Sequence, residues 1–388
     1  MKKIFCVFGT RPEAIKISPI LKILKKEKDK FNLKVCVTAQ HREMLDPYLK
    51  FFGITPHYDL NIMEDRQSLE ELSHNLLSRI PSILKKENPD LTLVQGDTST
   101  AFLAALSSFY LKIPVAHVEA GLRTYNYSQP FPEEANRRLI DALSILHFAP
   151  TLQSKTNLLK EGFSAKTIFV TGNSGIDALK SVTQNPQNFK NPFLKKFFNS
   201  KPKKEAFKTI LVTAHRRENF GEPLRQLCLA LKSIADSFNQ VFIFYPVHLN
   251  PNVASTVKKI LKDQTKIFLL PPLEYSDFTC LLKKSWALVT DSGGLQEEAP
   301  TLGIPTLVLR KITERPEAVQ TGSVKVIGTE KENIIAEISK LIKNKNSYQK
   351  MAKVSHPYGD GEAAQRIVNA LLFYFNYKKN RPKDFNPE

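Results

Sequence analysis

The stretch Ala287-Leu288-Val289-Thr290-Asp291-Ser292-Gly293-Gly294-Leu295-Gln296-Glu297-Glu298 decides the fold. Its first four residues make a strand apolar enough to be buried on both faces, as strands of parallel sheets are. The glycines that follow permit a tight turn into a helix and let backbone approach a ligand closely. A helix start carries free N–H groups and partial positive charge, so the turn suits an anion, and Ser292 adds a hydroxyl. We read Ser292, Gly293 and Gly294 as the seat of a nucleotide diphosphate, with Glu298 placed to accept from ribose hydroxyls. The plain alternative is a capped turn whose glycines serve geometry alone.

The same device recurs at Phe8-Gly9-Thr10-Arg11-Pro12-Glu13-Ala14-Ile15-Lys16: a strand, a glycine turn, then a helix with an early proline and an acid in its first turn. Arg11 and Lys16 flank that helix start. Either they are surface charges or, as a strand-end guanidinium suggests, they meet phosphate. Outward from these two points, short apolar runs alternate with helical periods, the pattern of βαβ units. Strands are expected at 4–8, 33–37, 91–94, 114–118, 145–148 and 168–170, then at 210–213, 241–245, 267–270, 287–290 and 306–309. Ile17, Ile20, Leu21 and Leu24 mark one helix face, and Ser68-Leu69-Glu70-Glu71 is a capping box opening another helix. Residues 183–208, rich in Asn, Pro, Lys and Phe, show no sustained period and read as irregular. The expected organisation is an α/β chain of two doubly wound Rossmann-like domains with a central cleft: residues 1–172, then residues 173–361. An amphipathic helix within 362–388 crosses back onto the first domain. Ligands bind such sheets at the carboxyl ends of their strands.

Motifs at strand ends therefore carry the chemistry. Asp97 follows one strand, Glu119 follows the next, and Glu133 sits in Phe131-Pro132-Glu133-Glu134 at a helix start that favours its anion. Singly, each reads as a cap or turn acid; together in one crevice they suit acid/base chemistry. In the second half, Thr213-Ala214-His215-Arg216-Arg217-Glu218 leaves a strand into a basic loop, and Tyr245-Pro246-Val247-His248 repeats the arrangement. His215 either donates to a phosphate or is a hydrogen-bonded loop histidine. Arg315 supplies one more strand-end cation.

The 388-residue chain holds 56 Lys and Arg against 38 Asp and Glu, a net +18. Nucleic-acid binding is not the preferred reading, because the lysines form solvated runs such as Lys25-Lys26 and Lys203-Lys204 without interleaved aromatics. No apolar run approaches the roughly 20 residues of a membrane span, and the five-residue apolar start is too short for a secretory leader. The four scattered cysteines read as reduced core thiols of a cytoplasmic protein. There is no G-x-G-x-x-G after a strand, no P-loop and no close His/Cys cluster, so neither a cofactor nor a metal is expected.

These words, together with Gly96-Asp97-Thr98, His117-Val118-Glu119-Ala120-Gly121-Leu122-Arg123, Pro132-Glu133-Glu134-Ala135-Asn136-Arg137 and Pro357-Tyr358-Gly359-Asp360-Gly361, run nearly end to end. In them the chain resembles the non-hydrolysing UDP-N-acetylglucosamine 2-epimerases, a family with the two-domain GT-B fold. The resemblance implies interconversion of UDP-GlcNAc and UDP-ManNAc by elimination of UDP to 2-acetamidoglucal and re-addition, supplying ManNAc units for surface polysaccharide. By that resemblance Asp97, Glu119, Glu133 and His215 are catalytic, without saying which carboxylate takes the C2 proton. Arg11, Lys16, His215, Arg315 and the Ser292-Gly293-Gly294 turn hold UDP, Glu298 takes the ribose, and Leu273 and Phe278 wall the uracil. Gln40 and Arg66 match a second, allosteric UDP-GlcNAc site of regulated members, and the family is usually homodimeric. The rivals are a hydrolysing 2-epimerase, a GT-B glycosyltransferase that needs an acceptor, and a non-catalytic nucleotide-sugar sensor. Three carboxylates that would repel a diphosphate speak against the sensor.

Overall fold

The computed structural model describes the whole chain except residues 40, 41, 63, 65, 66, 185–187, 201–206, 312, 314 and 388; the side chains of residues 43, 44 and 217 also lie outside it. The chain divides into two compact units, residues 1–178 with 358–387 and residues 179–357.

The first unit is built on seven parallel strands: β1 (Lys2–Phe8), β2 (Phe31–Val37), β3 (Tyr58–Asp59), β4 (Leu91–Gln95), β5 (Val115–Val118), β6 (Leu146–Ala149) and β7 (Ile168–Val170). Their order is β3-β2-β1-β4-β5-β6-β7. Its helices are α1 (Arg11–Lys26), α2 (Arg42–Phe52), α3 (Leu69–Glu87), α4 (Ser99–Tyr110), α5 (Glu133–Leu143), α6 (Leu152–Lys160) and the first half of α7 (Ser174–Thr183). The expected apolar face of α1 is buried at Ile17, Ile20, Leu21 and Leu24. The capping box is formed: the Glu71 amide donates to Ser68 Oγ at 3.2 Å, and the Ser68 amide donates to the Glu71 carboxylate at 2.8 Å. Leu72, Leu76, Ile80 and Leu84, a stripe at helical spacing, then pack α3 on Phe5, Val7 and Val94 of the sheet.

The second unit opens with α8 (Pro192–Ser200), followed by β8 (Lys208–Thr213), a 3₁₀ turn (Arg217–Asn219), α9 (Glu222–Ser237), β9 (Val241–Pro246), α10 (Pro251–Leu261), β10 (Ile267–Leu270), α11 (Tyr275–Lys284) and β11 (Ala287–Thr290). It continues through α12 (Gly293–Thr301), β12 (Thr306–Val308), α13 (Pro316–Gln320), β13 (Val324–Val326), α14 (Lys331–Lys343) and α15 (Lys345–Met351). Its six parallel strands run β10-β9-β8-β11-β12-β13. The last helix, α16 (Ala363–Tyr374), returns to the first unit and packs on α1. Both sheets are doubly wound, as expected.

Three features depart from the sequence reading. β3 and β13 are additional strands, two and three residues long, at the sheet edges. The stretch read as irregular contains α8, whose Leu194 and Phe197 are buried with Phe244, Leu281 and Leu282. The division between units falls at 178/179 and 357/358 where the reading placed 172/173 and 361/362. The reason is local: the Asn173 amide donates to the Tyr358 carbonyl at 2.6 Å, and Asp177 accepts the first amides of α16, from Ala363 at 3.2 Å and Ala364 at 2.8 Å.

In each sheet the winding reverses beside the first strand, between β1 and β4 and between β8 and β11. Loops at the carboxyl ends of such a strand pair diverge and leave room for a ligand. Gly9 to Glu13 and Gly96-Asp97 stand at the first reversal; Ala214-His215 and Asp291 to Gly293 stand at the second.

Candidate functional site

In the first unit, Gly9 leaves β1 where a Cβ would run into the hydroxyls of Thr38 and Thr100, so only glycine fits. Glu13, read as an ordinary first-turn acid, is buried. Its carboxylate accepts from the Gly9 amide at 3.1 Å, the Thr10 amide at 2.8 Å, the Thr10 hydroxyl at 2.7 Å and the Thr98 hydroxyl at 2.9 Å. It therefore caps α1 and ties the β1 turn to the loop that carries Asp97. Burial pushes its carboxyl up to about 7, against the opposing pull of these hydrogen bonds.

Glu119, just past β5, has φ +74°, a left-handed conformation that a non-glycine residue adopts only where its surroundings impose it. Lys16 Nζ meets both of its carboxylate oxygens, at 2.6 and 2.7 Å, and Gln95 Nε2 donates to one of them. The structure thus places Lys16, expected on a phosphate, against a catalytic candidate. Arg11 is half-buried, its guanidinium 5.8 Å from the Tyr48 ring centre. Asp97 is held from α5: Arg137 pairs with its carboxylate, and Asn136 Nδ2 donates to its backbone carbonyl at 2.9 Å. Glu133 begins the same helix, and buried Glu134 accepts from the amides of Thr124 at 3.0 Å and Tyr125 at 3.1 Å. One helix, through the word Glu133-Glu134-Ala135-Asn136-Arg137, presents one candidate acid and holds the loop of another. Asp97, Glu119 and Glu133 all lie at the carboxyl end of the first sheet.

In the second unit, the Asp291 side chain is fully buried and turned away from its own helix. Its Oδ2 accepts from the amides of His215 and Arg216, each at 2.9 Å, and from Asn219 Nδ2 at 3.0 Å. Its Oδ1 lies 3.4 Å from His215 Nδ1, and the His215 ring stacks on His248 with centres 5.6 Å apart. Asp291 thus joins the β8 loop to the start of α12. Ser292 is the N-cap residue of α12, yet its side chain makes no capping bond, and its amide donates to Thr290 Oγ1 at 2.9 Å. Gly293 and Gly294 form the first turn.

Residues further along α12 grip the loop that carries Arg315. Thr313 Oγ1 donates to Gln296 Oε1 at 2.6 Å, the Arg315 amide donates to Thr313 Oγ1 at 3.1 Å, and the Arg315 guanidinium pairs with Glu297. Arg315, read as a strand-end cation, is buried on that carboxylate. Glu298 is half-buried on α12, and Leu273 and Phe278 are half-buried at the edge of the apolar cluster under α8 and α11. Gln40 and Arg66 lie outside the described residues, as do His41, Asp65 and Glu314.

Gln95, Asn136, Arg137, Asn219 and Glu297, each bound to a candidate or to its loop, were not singled out from sequence. For Asn136, Arg137 and Glu297 the signal was membership of the motifs themselves: Asn136 and Arg137 stand three and four residues after Glu133, one helical turn along. Among the described residues, no helix is long and apolar enough to cross a membrane, and no group of three or more His, Cys, Asp or Glu could hold a metal ion.

The sequence model described as UDP-N-acetylglucosamine 2-epimerase matches residues 23–372. The chain is 51% identical over 375 residues to the UDP-N-acetylglucosamine 2-epimerase of Campylobacter jejuni, covering 96% of this chain and 98% of that protein. Its structure resembles the S. aureus MnaA-UDP co-structure with a TM-score of 0.92 and 44% identity, covering 100% of both chains. It also resembles UDP-GlcNAc 2-epimerase from Neisseria meningitidis bound to UDP-GlcNAc, with a TM-score of 0.89 and 47% identity, covering 95% of this chain and 99% of that one. The chain belongs to the UDP-N-acetylglucosamine 2-epimerase family.

Proposed function

We propose that the chain catalyses the non-hydrolysing, reversible epimerisation of UDP-GlcNAc and UDP-ManNAc at C2. The C2 proton has no adjacent carbonyl to acidify it, so direct removal would leave an unstabilised carbanion. Elimination avoids this: a base takes the C2 proton, the C1–O bond breaks with its electron pair going to UDP, and a C1–C2 double bond forms. Protonation of the resulting 2-acetamidoglucal from the opposite face, with return of UDP to C1, gives the epimer. Every bond broken in the first half is remade in the second, so no external oxidant or water is consumed.

The observation that carries this reading is the set of strand-end carboxylates in the first unit, with Glu119 held by Lys16 and Gln95 and Asp97 by Arg137. Groups fixed in this way are preorganised for proton transfer and for charge developing at C1. In the second unit, the first turn of α12 and the His215-Arg216 loop offer donors to a diphosphate. Arg11 and Arg315 are the further diphosphate contacts of this reading, the charge of Arg315 being offset by its pair with Glu297; Glu298 takes the ribose, and Leu273 and Phe278 face the uracil. The same reading makes the enzyme a cytoplasmic homodimer that supplies ManNAc units for surface polysaccharide, with Gln40 and Arg66 binding a regulatory UDP-GlcNAc.

The test is turnover of UDP-GlcNAc in heavy water without added NAD. Deuterium is expected at C2 of both sugars as the two UDP-sugars approach equilibrium. Unlabelled product or a requirement for NAD would reject the mechanism. Stoichiometric free ManNAc would make the enzyme a hydrolysing one, and no turnover without an acceptor would make it a glycosyltransferase.

A further inference from the structure

Behind Asp97 and Glu119 lies a buried cluster of charges that the proposed chemistry does not use. Asp141, on α5, is fully buried. Its Oδ1 is 2.6 Å from Nδ1 of His117, a buried residue of β5. Its Oδ2 accepts from the Gly121 amide at 3.2 Å and from Arg123 at 2.7 Å. The other ring nitrogen of His117, Nε2, is 2.7 Å from the Gly96 carbonyl oxygen. Gly96 immediately precedes Asp97, and Gly121 follows Glu119 by two residues. One carboxylate, directly and through one imidazole, thus reaches the backbone of both turns that carry candidate acids.

Those turns need holding. Gly96 has φ +72°, Glu119 φ +74° and Gly121 φ +84°, so three left-handed residues lie in two short loops, one of them with a side chain to accommodate. The cluster is closed on its far side: Arg123 donates to the two oxygens of Glu161 at 2.8 and 2.7 Å and to its neighbour's carbonyl, Leu122 O, at 2.8 Å. Burial works to raise the Asp141 carboxyl, but the charges of His117 and Arg123 hold it below its ordinary value. Buried ion clusters are weak sources of net stability, because desolvation offsets most of their attraction. What this one supplies is geometry at two backbone positions beside the reacting groups.

We propose that Asp141, acting through His117 and the Gly121 amide, is a positioning residue that sets the Asp97 and Glu119 carboxylates for proton transfer at C2. The proposal rests on the assignment of those two carboxylates above. It is tested by steady-state kinetics with UDP-GlcNAc and its C2-deuterated form in Asp141→Asn and His117→Gln, beside Asp97→Asn and Glu119→Gln. Misplacing a reacting group by a fraction of an ångström is expected to lower kcat about ten- to a hundredfold. KM should stay within about twofold, since uniform binding is untouched. The primary deuterium isotope effect should rise, because proton transfer becomes more fully limiting, whereas a loss of folded enzyme lowers kcat with the isotope effect unchanged.

If Asp141→Asn fails to fold, His117→Gln, which leaves the pair between Asp141 and Arg123 in place, carries the same readout. Wild-type kcat in both variants, or a fall with the wild-type isotope effect, would overturn the proposal while activity lost in Asp97→Asn and Glu119→Gln upheld the assignment beneath it. Normal turnover in Asp97→Asn and Glu119→Gln would overturn both.

Discussion

Asp291 shows how one residue can change meaning between sequence and structure. In sequence it opens the turn that suits a diphosphate, yet a carboxylate there would repel one. The structure resolves the conflict by turning the side chain back onto the His215 and Arg216 amides and Asn219. Asp291→Ala removes the one oxygen on which the His215 and Arg216 amides and Asn219 Nδ2 converge. Leaving such donors poorly paired costs about 1–3 kcal/mol. We expect a lower melting temperature and weaker UDP binding by titration calorimetry; unchanged UDP affinity would show that the loop does not depend on Asp291. The positions of Asp97 and Glu119 were legible in sequence because both follow apolar runs, and strand ends are where such sheets bind ligands. Their partners were not. Arg137 meets Asp97 across 40 positions, Lys16 meets Glu119 across 103, and no local pattern encodes such pairings.

Among the elements, α1 is the one whose stability should respond most directly to pH. Glu13, at its start, titrates at about 7 in the folded protein against an ordinary 4.5. Between these values the folded chain holds a proton that the unfolded chain has lost, so stability falls as pH rises. The contribution is fully present below about 4.5 and gone above about 7. Glu13→Gln, always neutral, should flatten the rise in melting temperature expected of the wild-type protein on acidification through this window. Equal slopes for the two proteins would reject it. Most elements were readable because a two-sided buried strand needs a continuous apolar run and a helix on a sheet needs a stripe. β3 and β13 escaped because two or three edge residues carry no period. The α8 segment escaped because residues 183–208 are rich in Asn and Pro and show no sustained period; in the structure Asn191 Oδ1 accepts from the Leu194 amide at 3.1 Å and starts the helix.

For the whole molecule, α16 matters more than its place near the end of the sequence suggests. It buries Ile367, Val368, Leu371 and Leu372, and Phe385 beyond it is buried as well. At about 1.5–3 kcal/mol for each large apolar side chain, their loss is comparable with the 5–15 kcal/mol that keeps a typical domain folded. A chain ending at Pro357 should therefore lose the protected amides of β1 and α1 in hydrogen exchange, while β8 to β12 keep theirs. Protection retained in β1 would show that the first unit folds without its returning helix.

That return also sets an order of events during synthesis. The second unit is one uninterrupted stretch and can fold as soon as it clears the ribosome. The first unit, begun earlier, stays without its closing helix until the segment beyond the second unit is made, so of the two units the one begun first is finished second.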